Sequence, residues 1–149
     1  MPAGYSGTPL AKKLGIKEGS TIALLGAPPD LDLDGVPDGV TVRTSTRGTS
    51  DVIVTFHDRR ADLEKRVPQL LKALAVNGGL WIAWPKKASK VPTDITEDTV
   101  REVFLPRGLV DNKVCAIDDT WSGLRVVWRT ERRAERRAGR PSPSSRGTG

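Results

Sequence analysis

The chain has 149 residues, 37% of them hydrophobic and 28% charged, with a formal net charge of +6. That length suits one domain with a core of its own, and the composition excludes a fibrous or wholly disordered chain. A lone cysteine, Cys115, excludes an internal disulfide and points to a reducing compartment, while no apolar run approaches the ~20 residues of a bilayer span.

No basic-then-apolar leader pattern is visible at the start. A cytoplasmic protein without membrane contact is therefore expected. The charge is unevenly placed. Residues 129–149 carry seven Arg and two Glu, leaving 17 basic against 16 acidic residues in 1–128. The basic character thus belongs to the tail and says little about the partners of the folded part.

In chain order, residues 1–7 are small and polar and are expected to be loose. Residues 10–14 make a short helix closed by Gly15. The aliphatic run 21–25, set between Gly19 and Gly26, reads as a buried strand. Residues 27–39 hold Pro28, Pro29, Gly35, Pro37 and Gly39 and form a loop. Short strands are expected at 40–43 and 51–56. Between 60 and 76, Leu63, Val67, Leu70, Leu71 and Leu74 share one helix face. Pro68 is expected to kink or break that helix, and Asn77-Gly78-Gly79 to end it. A fourth strand covers 80–84. A helix capped near Asp94-Ile95-Thr96-Glu97 carries Val100, Val103 and Phe104 inward. Strands at 113–117 and 124–128 form a hairpin across the loop 118–123. Beyond Trp128 a helix can extend to about 137, and 141–149 is expected to be disordered.

Strands three and four enclose a helix, as do strands four and five. Such crossovers place these strands in parallel. The last strand returns antiparallel at or near an edge. The expected architecture is a small α/β, Rossmann-like, mostly parallel sheet with helices on both faces and a C-terminal antiparallel hairpin strand. It spans residues 1–128, with 129–149 as a basic, largely disordered tail.

Two resemblances follow from these residues. Over 51–129 the chain has a strand, a helix, Gly78-Gly79 leading into a strand, a helix, Gly108-Leu109 leading into a strand, and an antiparallel return. That succession resembles the C-terminal half of class I S-adenosylmethionine (SAM)-dependent methyltransferases. From Gly4-Tyr5-Ser6-Gly7-Thr8-Pro9 to Trp121-Ser122-Gly123-Leu124-Arg125 the chain is also similar to a bacterial family, domain of unknown function 3052. Leu80-Trp81-Ile82-Ala83-Trp84-Pro85-Lys86 and Asp111-Asn112-Lys113-Val114-Cys115-Ala116-Ile117-Asp118 carry that likeness. It brings no activity with it.

In a parallel sheet, ligands lie beyond the carboxyl ends of the strands. There the sequence places Gly26, then His57-Asp58-Arg59-Arg60, then Lys86-Lys87, then Asp118-Asp119-Thr120-Trp121. The methyltransferase resemblance implies glycines and a helix after the first strand and an acid after the second. Here only Gly26 is in place, Pro28 and Pro29 follow it, and Thr44-Ser45 stand where the acid would be. These departures argue against SAM or nucleotide binding, and no cofactor is expected.

His57 has two readings, a general base beside Asp58 and, preferred, a solvated or hydrogen-bonded strand-end residue. Lys86 and Lys87 with Arg59 and Arg60 form either an anion site or, preferred, a set of solvated charges. Asp118 and Asp119 have no His or Cys at ligand spacing, and no metal site is expected. Cys115 is expected to be buried and inert. Trp81, Trp84 and Trp128 are packing residues, with Trp81 and Trp84 on opposite faces. Trp121, in a loop, is either a ligand anchor or a lid on the core.

The first expectation for function is a non-catalytic or weakly catalytic module binding a small anionic ligand or a protein partner. Its ligand-binding residues would be Gly26, His57, Lys86, Lys87, Asp118 and Trp121. The second is a divergent methyltransferase-like enzyme with His57 or Asp58 as base. The third is a nucleic-acid accessory protein acting through the arginine-rich stretch from Arg129 to Arg140.

Overall fold

The computed structural model describes residues 8–138. The looseness expected for 1–7 and the disorder expected for 141–149 lie outside the described residues.

Short helix α1 (Leu10–Lys13) ends at Leu14 and Gly15, whose φ of 82° suits a residue without a Cβ. The aliphatic run after Gly19 forms β1 (Thr21–Leu25). No helix follows it. The chain loops through 26–40 into β2 (Thr41–Arg43), then into β3 (Ser50–Phe56). Next come α2 (Arg60–Ala73), β4 (Leu74–Pro85), α3 (Glu97–Phe104), β5 (Leu109–Ala116), β6 (Trp121–Trp128) and α4 (Thr130–Ala138).

The six strands make one sheet in the order β2-β1-β3-β4-β6-β5. β1 pairs in parallel with β2 and β3, and β3 in parallel with β4. β6 is antiparallel to both β4 and β5, so β5 points the same way as β4. The hairpin strand β6 is therefore interior, one place in from the edge, and β5 is the border strand. Burial explains the choice. Gly123, Leu124, Val126, Val127 and Trp128 of β6 are buried, whereas β5 exposes Asn112, Lys113 and Val114.

One face of the sheet packs Leu63, Val67 and Leu70 of α2 and Val100, Val103 and Phe104 of α3 against Ile53, Ile82, Trp84 and Leu124. The other face is covered by Leu10 and Ala11 of α1, by Leu14 just after it and by Leu31 and Leu33 of the loop after β1, over Val54 and Trp81. Trp81 and Trp84 do face opposite sides, as their spacing requires. The Trp81 Nε1–H donates to the Leu14 carbonyl at 3.0 Å.

Two expectations for α2 need correction. Pro68 neither breaks the helix nor divides it, because it sits exposed within one continuous α2. The helix also ends at Ala73, not at Val76, and passes directly into β4 at Leu74. Pairing with β3 jumps from Ser50–Leu74 to Val52–Gly79, so residues 75–78 bulge out of register. No helix among the described residues is long and apolar enough to cross a membrane.

Candidate functional site

Because β1, β3, β4 and β5 run the same way, their carboxyl ends share one border of the sheet. Contacts along that border tie the loops together. Gly26 closes β1 at a φ of 69°, and a Cβ there would come within 3.2 Å of the Phe56 carbonyl oxygen. The absence of a side chain thus lets β1 turn across the end of β3. Thr93 Oγ1 donates to the Asp58 carbonyl at 2.7 Å, which holds the loop after β4 against the end of β3. The Lys86 N–H donates to the Thr120 carbonyl at 2.7 Å and joins the ends of β4 and the β5–β6 turn. Phe56 and Trp121 meet edge to face, with ring centroids 5.1 Å apart and planes at 84°.

His57 extends β3 by one residue, its N–H donating to the Ala83 carbonyl at 3.0 Å. Strand alternation puts its ring on the same face as Ile53 and Thr55, beneath α2. Its Nε2 lies 2.6 Å from the fully buried Thr55 Oγ1. Burial lowers its pKa from the usual 6.5 to about 4, with Arg66 adding to the shift and Asp62 and Asp58 opposing it. At neutral pH the imidazole is uncharged. The bond to Thr55 fits the reading of a hydrogen-bonded strand-end residue.

Asp58 is exposed on the same loop. Lys86 is half-buried and Lys87 exposed. Lys87 opens a single 3-10 turn (Lys87–Ser89), closed by Lys90 at a φ of 62°. Arg60 takes no part in an anion site with them. Its guanidinium pairs with Glu64 at 3.1 Å and Glu102 at 2.7 Å, and these bonds raise its pKa.

Asp118 is used locally. Its Oδ1 accepts from the N–H groups of Thr120 and Trp121, both at 2.8 Å, and so shapes the β5–β6 turn. Trp121 is the first residue of β6, opposite Pro85, and is half-buried against Phe56. Of its two readings, the lid on the core fits this packing. Among the described residues no group of three His, Cys, Asp or Glu is placed to hold a metal ion. Cys115 is half-buried, and burial pushes its thiol pKa up. Thr93 escaped the sequence reading, since a threonine after Pro92 in a polar loop gives no distinctive signal. At the end of β2, Thr44 and Ser45 are exposed hydroxyls.

No protein-family model and no curated protein sequence matches the chain. Solved structures do. The chain is similar to a SAM-dependent methyltransferase from Aquifex aeolicus at 15% identity and a TM-score of 0.55, covering 78% of this chain and 86% of that one. It is similar to a ribosomal protein L11 methylase from Lactobacillus delbrueckii at 13% identity and a TM-score of 0.51, covering 80% and 75%. It is also similar to the magnesium protoporphyrin IX methyltransferase of Synechocystis, solved with bound SAM, at 11% identity and a TM-score of 0.53, covering 75% and 71%. The fold is the Rossmann-like α/β fold of class I methyltransferases. The expectation of a non-catalytic module binding a ligand or partner is overturned by this likeness, which runs to enzymes and favours the methyltransferase-like alternative.

Proposed function

We propose that the chain is a divergent methyltransferase-like enzyme that binds SAM on the border formed by the ends of β1, β2 and β3. The single observation that carries this is the strand order β2-β1-β3-β4-β6-β5 with one antiparallel strand set inside it. It supports placing the cofactor where β1 and β3 end side by side.

The residues present fit the group in part. Gly26 leaves bare backbone at the crossing of β1 over Phe56. SAM is a sulfonium with an α-ammonium, both cationic, and Asp58 and Asp30 are exposed carboxylates on the loops beside that crossing. Thr44 and Ser45 would offer hydroxyls to a ribose where an acid is lacking. When bound, SAM supplies an electrophilic methyl group. The chain's own part is to hold that group at the border, with neutral His57 fixing the backbone from which Asp58 projects. Lys86, Lys87 and Trp121 mark the side from which a methyl acceptor would approach.

Calorimetric titration with SAM tests this. Saturable binding is expected, weakened about fivefold by Asp58→Asn, as for loss of an exposed ion pair worth ~1 kcal/mol. Asp58 is exposed, so the unliganded melting temperature should not move. Absence of binding, or binding unaffected by Asp58→Asn and by Gly26→Val together, would sink the proposal.

A further inference from the structure

Helix α4 is rich in charge and lies far from the carboxyl border. Its Arg136 guanidinium sits 4.3 Å above the Trp128 ring centroid. Trp128 itself is 4% exposed, and its Nε1–H is buried without a hydrogen-bond partner among the described residues. Beside this pair α2 and α4 enclose an open groove of about 570 Å³, with Val67, Pro68 and Leu71 along it and Lys72, Arg107 and Arg132 at its sides.

The groove does not stop there. A second hollow of about 640 Å³ shares Lys72, Arg132 and Arg136 and reaches Thr49. A third, of about 770 Å³, again shares Lys72 and adds Ser45, Thr46 and Arg47. Lys72 thus stands at the centre of a continuous cationic band. Glu135 is the single carboxylate lining it among the described residues, and it is held by Arg132 at 3.1 Å. Lys72, Arg107 and Arg47 have no carboxylate partner among the described residues.

We infer that this band binds single-stranded nucleic acid through its phosphate backbone. The chemistry is that of an open basic groove flanked by hydroxyl donors and apolar side chains, which follows a polyanion without reading its sequence. Pro68 and Leu71 offer apolar surface to bases between cations that meet phosphates. The open, elongated shape does not enclose a free nucleotide. Among the described residues the exposed large hydrophobic side chains are Val36, Val42, Val91 and Val114, none of them in the band.

The test uses the full chain and fluorescence anisotropy with a labelled oligouridylate of about 20 nucleotides at about 50 mM salt. Lys72→Glu and Arg107→Glu should each weaken binding about tenfold and lower the slope of log affinity against log salt by about 0.7. Lys12→Glu, on α1 across the sheet, should change neither. All three positions are exposed, so circular dichroism should show unaltered folds. The inference is overturned by no binding of the intact chain, or by loss confined to Arg140→Ala and Arg146→Ala. Tighter capture by phosphatidylserine vesicles or by polyglutamate than by the oligonucleotide would overturn it too.

Discussion

At the scale of single residues, His57 shows how a group that reads as a base becomes a source of pH sensitivity. The lone histidine at a strand end was legible, and so was its nearness to Asp58. Its turn beneath α2 toward Thr55 was not, since strand alternation fixes a face only once the covering helix is known. With a folded pKa of about 4 against 6.5, the unfolded chain takes up the proton first as pH falls. Stability should therefore decline from about pH 6.5 down to about pH 4 and level off below, by on the order of 2 kcal/mol after allowance for solvent screening. Urea midpoints measured across that range should show the decline, and His57→Gln should flatten it. A profile unchanged by that substitution would mean other groups set the acid limb. Asp118 teaches the reverse lesson. It was picked out as an anchor, yet its carboxylate is satisfied by two backbone N–H groups. An acid beginning a hairpin turn is a turn former before it is a ligand.

At the scale of elements, the passage from α2 into β4 was the least legible part of the chain. The apolar spacing of Leu63, Val67, Leu70, Leu71 and Leu74 extends to the helix end without marking where helix gives way to strand. Gly78-Gly79 read as a helix stop, but the two glycines serve close packing. A Cβ on Gly78 would lie 2.7 Å from the Asp51 carbonyl oxygen, whereas one on Gly79 would meet the guanidinium end of Arg125. Backbone cannot yield cheaply and a long side chain can. Gly78→Ala should cost about 2–3 kcal/mol in chemical denaturation, and Gly79→Ala less than about 1 kcal/mol. Equal costs would show that the two positions are not distinguished this way. By contrast α3 was readable at its start. Thr96 caps it through the Thr99 N–H at 3.3 Å, and the Thr99 hydroxyl accepts from the Thr96 N–H at 3.1 Å. Threonine here takes the part that glutamate usually plays in that box.

At the scale of the whole molecule, strand directions from β3 onward were legible because the crossovers there carry helices and the hairpin does not, whereas β1 and β2 run parallel to β3 with only loops between them. The lateral order was harder. A β5–β6 hairpin can present either strand to β4, and only the richer apolar content of residues 124–128 over 113–117 hints at which is interior. The convergence of loops on one border followed from directions alone. The basic band did not, because Arg47, Lys72 and Arg107 lie on three separate segments that come together around α2 only in the folded chain. Placing β5 outermost has a further effect. Its pairing with β6 breaks register between Asp111 and Lys113, and the Lys113 ammonium reaches back to the Lys13 carbonyl at 3.2 Å. A kinked rim carrying a charge is a poor template for a neighbouring chain. Lys113→Val would leave Val114, already 53% exposed, beside a second valine on an open flank. That variant should self-associate with rising concentration in light scattering where the parent does not. Self-association of that variant would mark the stretch that finishes the sheet as a guard against one molecule being zipped onto the next.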